Sequence, residues 1–297
     1  MCDNVFQWQK KIYIYPFGEI GQKLYRLLND KLGVKQIIPV DNGRCSNSGE
    51  IIAVSDLSKV EWEKGDCILF IASDNKEIYM ELRLELKQHV PDEYIIDLYD
   101  KNPLCGLCNG NDARVSSLAM VSKEIYRREI PGSVAEAGVY QGEFAKYINI
   151  LFPDRKLYLF DSFDGFSESQ VVEGKDNQKQ TDQWITTLKD TSETLVMDKM
   201  RYRDQVIIRK GYVPETLTGI DDSFAFVSLD MDIYQPTLDA LEFFWARLSP
   251  GGYIFVHDYG NYEGIDMAVT RFCSENNVGY FCLNDQMSVV IVKPLGI

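Results

Sequence analysis

Short runs of β-branched and aromatic residues alternate with helical segments along most of this chain. Four such runs fall in the first hundred residues, and further ones follow in the second half, where several end in glycine or aspartate. Strands that alternate with helices at this spacing are typical of parallel sheets with right-handed crossovers. At ~150 residues per domain, the length of 297 residues suggests two domains. The pattern therefore predicts an α/β protein made of two Rossmann-like domains.

The composition between the two halves suggests where they divide. We expect an N-terminal Rossmann-like domain over residues 1–104, a linker over 105–112 that is rich in glycine and asparagine, and a second domain over 113–297. The linker holds Cys105 and Cys108. A single pair of this kind lacks the further ligands that tetrahedral zinc needs, and a redox pair normally opens a helix. We interpret both residues as linker thiols.

The charge balance excludes several classes of partner. The chain has 31 basic and 45 acidic residues, a net charge of −14, so binding to nucleic acid or to an anionic membrane surface is not expected. No apolar run approaches the ~20 residues of a membrane span, and the first residues lack the apolar core of a signal peptide. Seven cysteines, an odd number, favour reduced thiols. We expect a cytoplasmic protein without membrane insertion.

The first domain carries an incomplete nucleotide-binding turn. Gly18 and Gly21 follow the first strand, but Pro16 stands where a dinucleotide fingerprint has its first glycine. Asp41 lies where an acid that binds ribose belongs. The segment resembles the small Rossmann-like domains of bacterial sugar-modifying enzymes, which would imply a sugar-nucleotide or docking role. The alternative is that the two glycines only let a helix pack on a strand.

The second domain has a stronger cofactor signal. Its first strand, Ser133–Ala137, runs into Gly138, and the next strand ends at Asp161. A glycine there lets the backbone approach an adenosine-type ligand, and the carboxylate can accept both ribose hydroxyl protons. Glu136 precedes the glycine and suits a cationic group, such as the amino group of S-adenosylmethionine (SAM), better than a pyrophosphate. The alternative is a purely structural turn.

Two aspartates predict a metal site. Asp230 and Asp258 each follow an apolar strand, and one helix separates the two strands, so both should lie at the carboxyl edge of the sheet. Two carboxylates in contact repel unless a cation lies between them, and oxygen ligands suit Mg²⁺. Alone, Asp230 could cap a helix and Asp258 could belong to a turn. Further along the edge, Gly211 and Tyr212 could lie against an adenine ring.

Five stretches in order resemble the macrocin O-methyltransferase family, whose members use SAM and Mg²⁺ to methylate sugar hydroxyls. They are PGSVAEAGVYQGEFA (131–145), LFDSFDGF (159–166), GYVPETL (211–217), LDMDIYQPTLDAL (229–241) and LSPGGYIFVHDYG (248–260). The resemblance implies a class I SAM-dependent methyltransferase fold with a mostly parallel sheet over residues 130–273. With the strand-end argument, the predicted cofactor-binding residues are Glu136, Ala137, Gly138, Val139, Tyr140, Asp161, Ser162, Phe163, Gly211 and Tyr212.

The metal ligands implied are Asp230 and Asp258, but one position departs from the family. Where the macrocin enzymes have two adjacent acids, this chain has His257 before Asp258. Either a third ligand is lost, or His257 replaces it as metal ligand or base. We predict Asp230 as metal ligand and catalytic base, with His257 second, because the pKa of histidine suits proton transfer near neutrality. His89 lies far from every motif and is expected at the surface.

A polar segment, Phe166–Asp190, interrupts the pattern after the second strand of this domain. It is interpreted as an active-site lid with Trp184 as a sugar-stacking ring; the alternative is a surface loop. Together these features predict a SAM- and Mg²⁺-dependent O-methyltransferase acting on a hydroxyl of a nucleotide sugar, a polysaccharide or a glycosylated natural product. A catechol-type methyltransferase and a non-catalytic sugar-nucleotide-binding protein are the alternatives. The family also implies a homo-oligomer.

Overall fold

The computed structural model describes residues 11–31, 34–43, 51–64, 66–73, 76–97, 113–176 and 188–295. The chain divides into two compact units, Met1–Ala119 and Met120–Ile297. The predicted linker and its thiols, Cys105 and Cys108, lie outside the described residues, as does Trp184. None of the described helices is long and apolar enough to cross a membrane.

The described strands and helices alternate along the chain. The strands are β1 (Lys11–Tyr15), β2 (Ile37–Pro39), β3 (Cys67–Ile71), β4 (Ile95–Asp97), β5 (Ser133–Ala137), β6 (Leu157–Asp161), β7 (Val206–Lys210), β8 (Phe224–Leu229), β9 (Leu248–Val256), β10 (Tyr280–Cys282) and β11 (Val289–Val292). The α-helices are α1 (Glu19–Arg26), α2 (Lys76–Leu86), α3 (Ala113–Arg127), α4 (Ala145–Leu151), α5 (Glu193–Lys199), α6 (Tyr234–Arg247) and α7 (Glu263–Glu275).

The first unit contains a four-stranded sheet in the order β2-β1-β3-β4, with every described pair parallel. Gly21 lies against β1, because a Cβ at this position would come within 2.4 Å of the Pro16 carbonyl oxygen. This glycine is therefore needed for packing of α1. Asp41 closes a local turn by accepting from the Gly43 N–H at 2.8 Å. His89 is half-buried and shares a hydrogen bond with Ser58 at 2.7 Å.

The second unit contains a seven-stranded sheet in the order β10-β11-β9-β8-β5-β6-β7. Strands β5 to β9 are parallel, whereas β11 pairs antiparallel with β9 and β10 antiparallel with β11. The prediction of an α/β fold with a mostly parallel sheet is thus confirmed. Fully buried β8 lies at the centre, where the ring of Phe224 meets Phe244 of α6 at a centroid distance of 5.0 Å.

The start of β9 departs from the local sequence pattern. Ser249–Gly252 reads as a turn in the sequence, but in the structure these residues belong to β9, which begins directly after α6 ends. Gly252 makes this pairing close, because a Cβ there would lie 3.0 Å from the Ala225 carbonyl oxygen of β8. The proline and glycines therefore shape an irregular strand start, where the register of β8 and β9 shifts between Phe224 and Phe226.

Candidate active site

The predicted site residues follow five neighbouring strands of the second sheet. Asp258, Asp230, Gly138, Asp161 and Gly211 come after or end β9, β8, β5, β6 and β7, in that spatial order. The chain adds β6 and β7 on one side of β5 and then β8 and β9 on the other side. The order of the strands therefore reverses beside β5, which makes this the topological switch point of the sheet. Ligands of open α/β sheets bind at the carboxyl edge next to such a switch. The sheet order therefore brings the predicted cofactor residues and the acidic residues to one edge.

Gly138 is held against the end of the neighbouring strand. Its φ is +82°, and a Cβ added to it would lie 1.8 Å from the backbone carbonyl oxygen of Asp230. The Asp230 N–H in turn donates to the Ala137 carbonyl at 2.8 Å. The sequence suggested that this glycine makes room for a ligand. The structure shows that the backbone of Asp230 already occupies the place of its side chain.

Asp161 organises the turn that follows β5. Its Oδ2 accepts from the backbone N–H groups of Val139 and Tyr140, both at 2.8 Å, and its Oδ1 accepts from the Phe163 N–H at 2.7 Å. A carboxylate has about four acceptor positions, so about one is left for a ligand. The sequence predicts that Asp161 accepts two ribose hydroxyls. The geometry adds a second role, which is to fix the loops after β5 and β6 to each other.

We expect Asp161→Asn to weaken SAM binding at least about tenfold. An amide offers one acceptor oxygen, and its NH₂ group would face a backbone N–H, so at least one charge-assisted hydrogen bond, worth about 1.5–3 kcal/mol, is lost. Calorimetric titration measures the change. Asp164→Asn is the matched control, because Asp164 is 72% exposed and its ion pair within the described part of the chain is a 3.2 Å contact with Lys189. Equal SAM affinity in Asp161→Asn and wild type would contradict this role.

The other predicted cofactor residues shape the same loops. Ser162 Oγ donates to the Gly165 carbonyl at 2.6 Å and accepts from the Asp164 N–H at 3.1 Å, which closes the turn after β6. Phe163 is buried with a φ of 54°. The Gly211 N–H donates to the Asp161 carbonyl at 2.9 Å, and the half-buried Tyr212 follows it. Their contacts with a cofactor remain predictions.

The predicted residues of β5 and of the turn after it differ in how deeply they are buried. Glu136, Ala137 and Val139 are buried, and Glu136 lies in register with Leu159 of β6 and Ser228 of β8. Tyr140 is 38% exposed, and its φ of 48° turns the chain away from the strand direction. A non-glycine residue in this region is strained, and such strain persists only where surrounding contacts impose it. Here the bonds to Asp161 impose it.

Three predicted metal ligands come together beside the glycine turn. His257 Nδ1 lies 2.9 Å from Asp258 Oδ2 and 3.2 Å from Asp230 Oδ1. One ligand atom from each residue lies within 4.8 Å of the other two. Asn261 donates to the second Asp258 oxygen at 3.2 Å. Two carboxylates and an imidazole converging in this way could hold a divalent cation.

Backbone conformation explains why adjacent residues face the same cluster. Successive side chains of an extended strand point to opposite faces, so His257 and Asp258 should diverge. Asp258 instead has a φ of 62°, which reverses the chain directly after β9. Asp232, after β8, has a φ of 60°. Left-handed residues therefore close both strand ends that supply the cluster.

Sequence reasoning missed two residues of this cluster. Loss of hydration on burial raises the pKa of Asp232 well above its usual range, and the nearby charges of Asp230 and Asp258 and a hydrogen bond with Asp258 add to the effect. Tyr262, which precedes α7, has its pKa raised to about 12 by burial and by the same three carboxylates. The spacing Asp-x-Asp after β8 is a signal that could have identified Asp232.

The start and end of the predicted lid are anchored beside the site. Asp176 Oδ1 accepts from the Tyr234 N–H at 2.8 Å at the beginning of α6, and its Oδ2 accepts from the Val172 N–H at 2.8 Å. At the other end, Asp190 accepts from Gln141 Nε2 at 3.0 Å and from the Tyr140 hydroxyl. Residues 177–187, which include Trp184, lie outside the described residues, so the lid remains a prediction.

Comparison with known proteins gives relatives of one kind. The chain is 29% identical over 159 residues to the 8-demethyl-8-(2,3-dimethoxy-alpha-L-rhamnosyl)-tetracenomycin-C 4'-O-methyltransferase of Streptomyces olivaceus, covering 49% of this chain and 60% of that protein. It is 30% identical over 159 residues to the mycinamicin III 3''-O-methyltransferase of Micromonospora griseorubida, covering 49% and 62%. The chain thus spans about three-fifths of the length of these curated relatives.

A solved structure shares the fold, and a family model shows the family. The O-methyltransferase NovP matches with a TM-score of 0.54 at 21% identity, covering 61% of this chain and 80% of NovP, which shows a shared fold. The model of the macrocin-O-methyltransferase (TylF) family matches residues 83–289, well over half of the chain. The match begins in α2, earlier than the resemblance starting at residue 130 that the motifs suggested. The chain belongs to the macrocin O-methyltransferase family.

Proposed function

We propose that the protein transfers the methyl group of SAM to a hydroxyl of a sugar-containing acceptor, with the help of a divalent cation. Membership of the macrocin O-methyltransferase family supports the reaction. The names of the relatives, enzymes of tetracenomycin and mycinamicin methylation, favour a sugar on a natural product over a small diphenol. A nucleotide sugar or a polysaccharide offers the same hydroxyl chemistry.

The observation that carries the proposal is the contact between Gly138 and the backbone of Asp230. This contact joins the turn that is predicted to bind SAM to the loop that bears Asp230, a predicted metal ligand. No side chain lies between the two loops at this point. Methyl transfer is an in-line displacement at the methyl carbon, with the sulfonium sulfur as leaving group, so donor and acceptor must be held at a fixed separation. Adjacent donor and cation sites on fixed backbone supply that separation.

On the cofactor side, three groups are assigned by their chemistry. The Glu136 carboxylate suits the SAM amino group, and the remaining acceptor position of Asp161 suits a ribose hydroxyl. Gly211 and Tyr212, after β7, suit the adenine. The Tyr140 N–H bonded to Asp161 keeps the turn in the conformation that this requires.

On the acceptor side, Asp230, Asp258 and His257 would hold the cation, since two carboxylates and an imidazole within 4.8 Å of one another form a fitting donor set. When bound, the cation lowers the pKa of a coordinated hydroxyl. We assign the removal of the hydroxyl proton to the Asp230 carboxylate, with His257 as the alternative acceptor. With SAM bound, the deprotonated oxygen would attack its methyl carbon, and the electron pair of the broken carbon–sulfur bond would stay on sulfur to give S-adenosylhomocysteine.

Calorimetric titration of SAM into the purified protein, with and without a divalent cation, tests the proposal. We expect micromolar binding in both conditions, because the cofactor residues lie on β5, β6 and β7 rather than in the acidic cluster. Rhamnose-containing natural products and nucleotide sugars are then screened as acceptors by the release of S-adenosylhomocysteine. Absence of heat in both titrations would overturn the methyltransferase proposal and favour a sugar-nucleotide-binding protein.

A further inference from the structure

Asp230, His257 and Asp258 form the acidic cluster, and His257 supplies its nitrogen ligand atom. This nitrogen faces the two carboxylates. The Nδ1 atom of His257 approaches both carboxylates, Asp258 Oδ2 at 2.9 Å and Asp230 Oδ1 at 3.2 Å. The backbone of His257 is held at the strand end, because its N–H donates to the Leu229 carbonyl at 2.9 Å and continues the pairing of β9 with β8. The contacts of Nδ1 place the imidazole in the same cluster as the two carboxylates.

Two of the three distances among the donor atoms are compatible with an octahedral site. Ligand atoms that lie 2.0–2.1 Å from an octahedral ion are separated by about 2.9 Å when they are adjacent. The two distances from His257 Nδ1, 2.9 and 3.2 Å, are close to that value. His257, Asp230 and Asp258 would fill three positions and leave the others for water or for acceptor oxygens.

Nitrogen ligation argues against Mg²⁺, the ion that the sequence suggests. Mg²⁺ is a hard cation that takes oxygen ligands and keeps several of its waters, whereas imidazole suits the first-row transition metals. We propose that this site selects a transition-metal dication that accepts imidazole, such as Mn²⁺ or Co²⁺, over Mg²⁺, with His257 Nδ1 as a direct ligand. The inference rests on the cation role in the proposed function, but its test measures metal binding alone.

Calorimetry of the chelator-treated protein with Mg²⁺, Mn²⁺ and Co²⁺ provides the first test. Any site with oxygen and nitrogen donors favours Co²⁺ over Mg²⁺ to some degree, so the informative quantity is the change in their affinity ratio. We expect His257→Asp to lower the Co²⁺-to-Mg²⁺ ratio at least about tenfold, because it replaces the nitrogen donor with oxygen. The matched control is His89→Gln, which removes the other of the two histidines in the chain.

Electron spin echo envelope modulation of bound Mn²⁺ provides a test on the unmodified protein. Direct ligation predicts modulation from an imidazole ¹⁴N in the wild type and in His89→Gln, and its loss in His257→Asp. The wild-type spectrum decides the question even if His257→Asp does not fold. Bound Mn²⁺ without ¹⁴N modulation, an unchanged affinity ratio in folded His257→Asp, or no metal binding would each overturn the inference.

These outcomes separate the inference from the proposed function. A protein that binds SAM and Mn²⁺ without nitrogen coupling keeps the methyltransferase proposal and loses the ligand assignment. A protein that shows nitrogen coupling but does not bind SAM keeps the metal site and loses the methyltransferase proposal. If no metal binds, the contacts of His257 with the two carboxylates serve only the structure of the loops, and the inference is wrong.

Discussion

Gly138→Ala is expected to destabilise the second unit by more than about 3 kcal/mol and to abolish SAM binding. The new methyl group would lie 1.8 Å from the Asp230 carbonyl oxygen, a backbone atom that cannot rotate away. To relieve this clash, the end of β8 must move away from β5, which breaks the hydrogen bond from the Asp230 N–H to Ala137. Urea unfolding followed by tryptophan fluorescence measures the loss, and calorimetry measures SAM affinity.

Gly219→Ala is the matched control for this experiment. Gly219 has a φ of +77°, close to the +82° of Gly138, but nothing lies within 4 Å of the place where its Cβ would be. Its substitution therefore reports the cost of a left-handed alanine alone, about 1 kcal/mol. If both variants lose the same free energy of unfolding, the contact of Gly138 with Asp230 does not contribute to stability.

Asp230→Asn is expected to lower turnover at least about a hundredfold while leaving SAM affinity unchanged. The amide removes one charged ligand of the cation and the group assigned to accept the hydroxyl proton, effects that together amount to several kcal/mol of transition-state stabilisation. SAM binding is spared because Gly138 contacts the backbone of Asp230, which the substitution does not alter. Turnover is measured as S-adenosylhomocysteine release and affinity by calorimetry.

Asp198→Asn serves as the control, since Asp198 is 67% exposed on α5 and, among the described residues, its ion pair is with Arg203. It should match the wild type in both measurements. Full activity of Asp230→Asn in the presence of a chelator would show that neither a cation nor this carboxylate takes part in the reaction. A parallel loss of SAM affinity would instead show that the loop after β8 had collapsed.

Much of the second sheet could be predicted because its strands are short, apolar and closed by special residues. The bounds of Ser133–Ala137 and Phe224–Leu229 follow from the sequence, since glycine and aspartate end them. The start of β9 could not be predicted, because Ser-Pro-Gly-Gly is typical of a turn. It becomes a strand through contact with β8 and through hydrogen bonds of Gly251 and Gly252 with Lys293. We did not predict β10 and β11, which depend on antiparallel pairing with β9 rather than on any local pattern.

In the candidate site, too, some residues could be predicted from the sequence and others could not. Strand-end position alone was enough to place Asp230 and Asp258 together, because neighbouring parallel strands end at one edge. Asp232 was missed because it lies three residues past Leu229, the last residue of β8, in a loop whose path is set by its own φ of 60° and not by the strand pattern. The bonds of Asp161 to three amides were also not foreseen, since the sequence suggested a ligand where the structure has protein backbone.

The contact between Gly138 and Asp230 also limits how this protein could be re-engineered. Because the two loops share backbone contact, a change that shifts one shifts the other, so substitutions in them will not combine additively. A library aimed at new acceptors should leave both loops intact. It should vary segments that approach the edge from outside, such as 166–176, and the start of α7 after Tyr262. There, altered side chains can change what is bound without changing the distance between the proposed methyl-donor site and the proposed cation site.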